Sequence, residues 1–593
     1  MLHRLSLRGI KLMTTMKNVS ATLLFIIICS IVSAQSNIKM SNPLLDEILQ
    51  GDYDRSDYAL ADYEQDPLEI ARDLRSSIQA DSLKEYILQL ARFDNRNTGS
   101  DTLSTTRGIG AARSWVLEKY DAFSRKADNR LLTGYLEFDE MICNVGHHKN
   151  VVAVLPGVST EAHHVILLEA HMDSRCEDPC DPDCVAQGVE DNASGSALVM
   201  ELARVMSKMA FPYTIVFMCT TGEEQGLLGA EAMGRYMRDR DIPLRAVLNN
   251  DIVGGIICGA TSSAPSCPSE NTIDSTQVRL FSSGSTSISK QLARYNKLQY
   301  QELLIEEEKV PMLLSIMSGE DRVGRGGDHI PFRRLGYPSM RFTSANEHGN
   351  ANPITGYTDR QHSHRDQPGV DTDDDGLVDS FFVDFNYLAR NAVINGTAAA
   401  MIAKAPVTPS FNVYRTVGAD LLVEIYDEMD YGNYRVSVRM GSTEWDTLIS
   451  TTDTTLNLTF DEPGLRFVSV CAVDSQGTES LFTSEEFART TSTENLAQLS
   501  DRIELINNRP NPFDEATYIT VWVKEDFTYD MAQLRVFDRL GKPIRTVDLD
   551  LKLGMNDYLF EHGYQLSGTF YYGLWIDGQR VDVKTMIASR SEK

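Results

Sequence analysis

Three short runs, His164–Leu168, Tyr213–Cys219 and Ala246–Leu248, are continuously apolar instead of alternating, and helical patterns at Ser196–Met209 and Leu227–Tyr236 separate them. A strand with one wet face alternates polar and apolar residues, so a strand apolar at every position must be covered on both faces. Helical crossovers let such strands run parallel, and an α/β domain with a mostly parallel central sheet flanked by helices is expected. A further strand is expected at Asn150–Leu155, closed by Pro156-Gly157, with helices before it around Ser82–Phe93 and Ile109–Phe123.

The chain has 593 residues, too many for one ordinary core, and its 42% hydrophobic and 24% charged content is that of a folded protein. Lys17 precedes the apolar run Ala21–Cys29, and Val32-Ser33-Ala34 follows, the layout of a signal peptide over residues 1–34. Export is therefore expected, to the medium or the cell surface. Met16 offers a more economical start, which would make 1–15 a misassigned extension. No later segment has the ~18 uncharged apolar residues of a membrane span. Residues 35–75 read as a polar, acidic lead-in to a domain over 76–405. Alternating strands then begin past Pro406 and Pro409, among them Leu421–Ile425, Tyr434–Val438 and Phe467–Cys471, and residues 406–490 resemble a fibronectin type III β-sandwich. Beyond a linker at 491–505, residues 506–593 carry Arg509-Pro510-Asn511-Pro512-Phe513, Leu534–Asp538 with Gly541, Gly568–Tyr572 and Val583–Ile587. Together these resemble the C-terminal sorting domain of type nine secretion cargo, which implies a second small all-β sandwich and a secretion machinery as partner.

With 84 acidic against 56 basic residues the formal charge is −28, which opposes binding to nucleic acid or an anionic membrane. Loss of the leader removes Cys29 and leaves eight of nine cysteines, an even number that suits disulfides in an exported chain. Cys258 and Cys267 flank a Ser/Pro/Gly-rich excursion and are candidates to staple it. Cys176, Cys180 and Cys184 suit disulfides better than a thiolate metal cluster, because zinc sites usually pair cysteines two residues apart.

Chemistry gathers at the strand ends. The run Val165–Ala170 leads into His171-Met172-Asp173, which puts His171 at a carboxyl edge with Asp173 close enough to orient it. Glu190-Asp191-Asn192 opens a helix, where either Asp191 or Asn192 would also serve as an N-cap. Glu223-Glu224 follows Tyr213–Cys219 directly, and two adjacent carboxylates repel each other unless a cation or proton compensates. Asp251 ends the next strand. A later loop offers His348, His362 and His364.

Residues 80–403 resemble the co-catalytic di-zinc aminopeptidases, the superfamily of glutamate carboxypeptidases and the transferrin receptor ectodomain. The motifs are His171-Met172-Asp173, Asp191–Gly195, Glu223-Glu224 with Gly226-Leu227, Asp251, Gly327-Asp328-His329 with Phe332, and His362-Ser363 with Asp366. The resemblance implies a zinc exopeptidase fold holding two zinc ions. His171 and Asp251 would bind one, Glu224 and His362 the other, and Asp191 would bridge them. It makes Glu223 the general base for a metal-bridged hydroxide, Asp173 the orienting residue, and peptides or proteins with a free N-terminus the substrates. His362 is preferred over His348 and His364 because Ser363 and Asp366 follow it in the family's spacing. Tyr337 and Tyr357 are the candidates to assist the oxyanion. A glutaminyl cyclase of the same fold and a non-catalytic binding or adhesion protein are the alternative functions. Asp371–Asp379 imitates most of a calcium loop, but Phe382 stands where its bidentate glutamate belongs.

Overall fold

The computed structural model describes residues 36–589 except 61–62, 260–268, 270, 323–324, 347–359, 416–419, 461–463, 491–498, 500, 514–515, 528, 540 and 562–566. The leader, Cys267, His348 and Tyr357 thus lie outside the described residues, as does most of the 491–505 linker.

A nine-stranded sheet is the centre of the first domain. Its strands are β1 (Ser36–Met40), β2 (Leu132–Ile142), β3 (Val145–Leu155), β4 (Val165–His171), β5 (Thr214–Thr220), β6 (Leu244–Asn250), β7 (Gln277–Phe281), β8 (Leu313–Ile316) and β9 (Ser339–Ser344). Spatially they run β1-β2-β3-β5-β4-β6-β9-β7-β8. The pairs β5/β4, β4/β6, β6/β9 and β7/β8 are parallel and the rest antiparallel, so the sheet is mixed where a mostly parallel one is expected. One reason is local. Cys143 and Asn144 both take positive φ (47° and 67°) between β2 and β3, and a two-residue turn of that kind closes an antiparallel hairpin. The polar lead-in is also corrected, because β1 pairs with β2 and the helices α1 (Pro43–Gln50) and α2 (Pro67–Ser77) fold against the domain.

Both faces of the sheet are covered. Val151, Ala153, Ile166, Leu168, Ile215 and Phe217 point to one core, shared with α2, α3 (Ala80–Ala91), α4 (Gly108–Arg125), α5 (Ser194–Met206), α7 (Ile288–Leu303) and α9 (Phe385–Lys404). Their neighbours Val152, Val154, Val165, Leu167, Val216 and Met218 point to the other, shared with α1, α6 (Leu228–Asp239) and Phe332 of α8 (His329–Arg334). Residues at every position of β4 and β5 are buried, which is why these segments read as unbroken apolar runs. The crossover from β4 to β5 uses α5 on one face, and that from β5 to β6 uses α6 on the other, so β6 lands on the far side of β4. The strand order therefore reverses at β4, which leaves a crevice at its carboxyl end.

Two antiparallel sandwiches follow. In the first, Ser410–Arg415, Leu421–Tyr426 and Thr455–Leu458 face Tyr434–Arg439, Thr447–Thr451, Gly464–Ala472 and Glu486–Thr490. In the second, the sheet of Ile503–Leu505, Ala516–Val523 and Gly554–Glu561 closes a separate core with Ala532–Phe537, Pro543–Leu549, Gly568–Ile576 and Gln579–Ala588. The first sandwich is fused to the α/β domain. Cys471, Leu481 and Phe482 enter the same core as Tyr295 and Tyr300 of α7. Glu485 accepts from Arg294 Nη1 of α7 at 2.8 Å and from Arg439 Nη2 at 2.6 Å, all three side chains being buried. Around this triad, Lys297 pairs with Glu444 at 2.6 Å and Arg435 with Glu302 at 2.7 Å.

Removing one member of a buried charge network strands its partners, at about 3–5 kcal/mol. Glu485→Ala is expected to lower the unfolding free energy by about 3 kcal/mol or more, seen as a lower denaturant midpoint. An unchanged midpoint would show that the triad does not hold the sandwich to the α/β domain.

Candidate metal centre

The crevice at the end of β4 collects side chains from three strand ends and two loops. His171 is the last residue of β4 and pairs in register with Thr220, the last of β5. The chain then turns through Gly222, whose φ of 76° suits glycine, and delivers Glu223 and Glu224. Asp251 follows β6 directly, and Asp191 sits in the turn that enters α5. That turn also resolves the two roles open at Asp191-Asn192. Asn192 Oδ1 accepts from Gly195 N at 2.9 Å and caps α5, and its Nδ2 donates to the Asn250 carbonyl at 2.8 Å. Asp191 is left to face the crevice. Gly195 is required there, because a Cβ at that position would collide with the Asn250 carbonyl.

Asp191 stands between the two histidines. Its Oδ1 is 3.2 Å from His171 Nε2, and its Oδ2 is 3.0 Å from His362 Nε2. Asp251 Oδ1 is 3.6 Å from His171 Nε2, and Glu224 Oε2 is 3.3 Å from His362 Nε2. The donors form two groups, His171 with Glu223 and Asp251, and His362 with Asp191 and Glu224, each with its ligand atoms within 4.8 Å of one another. The sequence-predicted residues are thus brought together on one side of the sheet edge.

Asp173 orients His171 through its backbone. His171 Nδ1 donates to the backbone carbonyl of Asp173 at 3.1 Å, while the nearer carboxylate oxygen is 3.7 Å away. The carboxylate instead accepts from Glu223 N at 3.4 Å, Glu224 N at 3.2 Å and Thr98 Oγ1 at 3.2 Å, so it fixes the backbone that carries the two glutamates. Asp366 plays the same part for Asp191, accepting from the backbone N–H groups of Glu190 and Asp191 at 2.9 Å each. This explains the spacing from His362 to Asp366, since one loop supplies a donor and the brace of its neighbour.

The electrostatics call for cations. Burial, then the charges of Asp251, Glu224 and Asp328, pushes Glu223 well above the usual carboxylate range despite the opposing pull of His171. Burial would lower His171, but Glu223 and the neighbouring aspartates hold it well above its ordinary value. Four carboxylates crowded at a buried edge are unstable as anions unless positive charge offsets them. The residues fit a metal by their donor chemistry, imidazole with carboxylate, which suits zinc. His171 Nε2 and Glu224 Oε1 are also buried without a hydrogen bond, as atoms kept for a cation would be.

Other candidates fall elsewhere. His364 is exposed, and Tyr337 lines a separate cavity with Arg333, Ser484 and Arg545. Asp328, pushed up to about 7 by burial and by the charges of Asp173 and Asp251, accepts from Thr220 Oγ1 at 2.6 Å, and His329 Nε2 donates to the Glu320 carbonyl at 3.0 Å. Cys143–Cys180 and Cys176–Cys184 are disulfides, which use all three cysteines of the acidic loop. Cys258 is disulfide-bonded as well, while Cys219 and Cys471 are buried thiols. Asp371, Asp373 and Asp379 gather in an exposed loop, where Asp371 and Asp379 accept from backbone N–H groups of that loop. Arg175, Arg322 and Arg325 also line the crevice with the donors, and sequence reasoning missed all three. Isolated arginines on loops carry no periodic or motif signal.

The sequence profile described as Peptidase family M28 matches residues 150–379. A probable zinc metalloprotease of Pyricularia oryzae is 34% identical over 345 residues, 55% of this chain and 64% of the relative, so the match spans just under two thirds of that protein's length. A second probable zinc metalloprotease, from Leptosphaeria maculans, is 30% identical over 362 residues, 58% of this chain and 78% of the relative. Among solved structures, the LapA aminopeptidase of Legionella pneumophila aligns with a TM-score of 0.41 and 17% identity over 59% of this chain and 78% of that one. With the profile match lying across the metal centre and the Leptosphaeria relative similar over most of its length, the chain belongs to peptidase family M28.

Proposed function

We propose that the chain is an exported zinc-dependent aminopeptidase with two zinc ions, one held by His171 and Asp251, one by Glu224 and His362, and Asp191 shared between them. The observation that carries this reading is the position of Asp191, with one oxygen toward each histidine. Bound there, the ions would supply Lewis-acid polarisation of the scissile carbonyl and an acidified water. Glu223 lines the same pocket, and in this reading it accepts the proton of the attacking water and returns it to the leaving amine. Asp173 holds Glu223 in register through the backbone, so it is a positioning residue. The pocket measures about 380 Å³, within the range of small-molecule sites.

Export is supported by the leader pattern, and among the described residues no helix is long and apolar enough to cross a membrane. The last sandwich has a core of its own, consistent with a detachable sorting signal read by a secretion machinery.

Chelation should abolish peptidase activity and added zinc restore it. Glu223→Gln is expected to lose about 10²–10⁴-fold in kcat, the scale of general base catalysis, while metal analysis still finds both ions. Glu224→Ala and His362→Ala should each lose one ion, and His364→Ala none. Equal metal loss in Glu223→Gln and Glu224→Ala would defeat this division of labour. Deleting residues from about 500 onward should leave activity intact and trap the enzyme in the periplasm. A truncated protein that still reached the medium would rule out sorting by that segment.

A further inference from the structure

The turn that carries Asp191 also holds the segment that leaves Asp251. Four consecutive backbone N–H groups after Asp251 donate to side chains of residues 190–194. Ile252 N donates to Asn192 Oδ1 and Val253 N to Ser194 Oγ, each at 3.2 Å. Gly254 N and Gly255 N both donate to Glu190 Oε1, at 3.3 and 2.6 Å. Residues 190–194 and 251–255 are buried throughout.

The segment needs to be held from outside. Ile252 takes a φ of 61°, a left-handed conformation that is unfavourable for a β-branched residue and persists only where its surroundings impose it. Gly255 allows the Glu190 carboxyl to come close, because a Cβ there would lie 2.8 Å from Glu190 Oε1. On another side Arg341 Nη2 reaches Asp251 Oδ2 at 3.2 Å. Asp251 is thus braced at its carboxylate by an arginine and along its outgoing backbone by the turn.

Within that turn Glu190 has a different part from its neighbours. Asn192 caps α5, and Ser194 Oγ donates to the Glu190 carbonyl at 2.7 Å, so both also serve the helix start. The Glu190 side chain reaches across to the Asp251 segment, and it is outside both donor groups of the metal centre. The two segments meet at one imidazole. Asp191 Oδ1 and Asp251 Oδ1 approach the same His171 Nε2, at 3.2 and 3.6 Å. A shift of one segment against the other therefore changes the donor set around His171, and outer groups that fix ligand direction are what tune a metal site.

We propose that Glu190 is a positioning residue that clamps the backbone after Asp251 to the turn of Asp191 and so sets the geometry of the zinc site of His171 and Asp251. The inference rests on the two-zinc reading of the centre.

Zinc affinities of the full chain, measured by calorimetry, test it in Glu190→Ala, Glu190→Asp and Glu190→Gln. Alanine removes the acceptor, aspartate withdraws it by one methylene, and glutamine keeps an oxygen in its place. Loss of an outer partner of a metal ligand costs about 10- to 100-fold in affinity. That loss is expected for one of the two zinc ions in Glu190→Ala, in part in Glu190→Asp, and not in Glu190→Gln. Adding Glu190→Ala to Asp251→Ala should weaken zinc no further, since the effect runs through Asp251. Unchanged affinities in the alanine and aspartate variants, a glutamine variant as weak as alanine, or a full further loss in the Asp251→Ala background would overturn the proposal. Should Glu190→Ala fail to fold, the contrast between aspartate and glutamine decides in the same way. If the chain binds no zinc, the two-zinc reading fails and hydrogen exchange of the full chain decides the clamp by itself. Faster exchange of the 252–255 amides in Glu190→Asp, reversed in Glu190→Gln, would support it, and unaltered exchange would refute it.

Discussion

The double burial of β4, β5 and β6 is the constraint on which the rest of the molecule depends. Each strand faces two helical layers, so every side chain of β4 and β5 is buried, and the candidate ligands lie at the strand ends. The reversal of strand order at β4 then opens that edge on both sides, and His171, Glu223, Glu224 and Asp251 converge there because three parallel strands end at the same level.

Convergence creates the second problem, which is charge. Four carboxylates and two imidazoles crowd into two groups, each with its ligand atoms within 4.8 Å of one another, at an edge where burial alone pushes every carboxyl upward. The backbone absorbs the need for precision. Asp173 and Asp366 spend their carboxylates on peptide N–H groups of the segments that carry Glu223, Glu224 and Asp191. Such bonds fix the direction of a ligand without competing for the cation, a division found around metal sites in general.

The first sandwich shows how far a compositional boundary can lie from a mechanical one. Composition changes at Ala405, yet the apolar core runs on through α7 into Leu481 and Phe482, and Glu485 closes a buried triad with arginines from both sides. The last sandwich keeps its core to itself and meets the first through contacts such as Arg535 with Glu486 at 2.6 Å. The first module thus shares the core of the α/β domain, and the last has a core of its own.

The sequence by itself determined the elements whose signal is local. Unbroken apolar runs between helical periods marked β4, β5 and β6, and the residues that end them named His171, Glu223, Glu224 and Asp251, because a strand buried on both faces must place its chemistry at its end. Tertiary structure alone decided what depends on distant partners. The short polar β1 and the helices of the lead-in gain order only from β2 and the sheet core, so residues 35–75 look unstructured when read alone. The turn that frees Asp191 while Asn192 caps α5 is held by Asn250 and Asp366, from far along the chain. The three arginines reach the pocket on loops, where nothing in the sequence reports direction, and only the packing of those loops over the β4 crevice brings them beside the carboxylates.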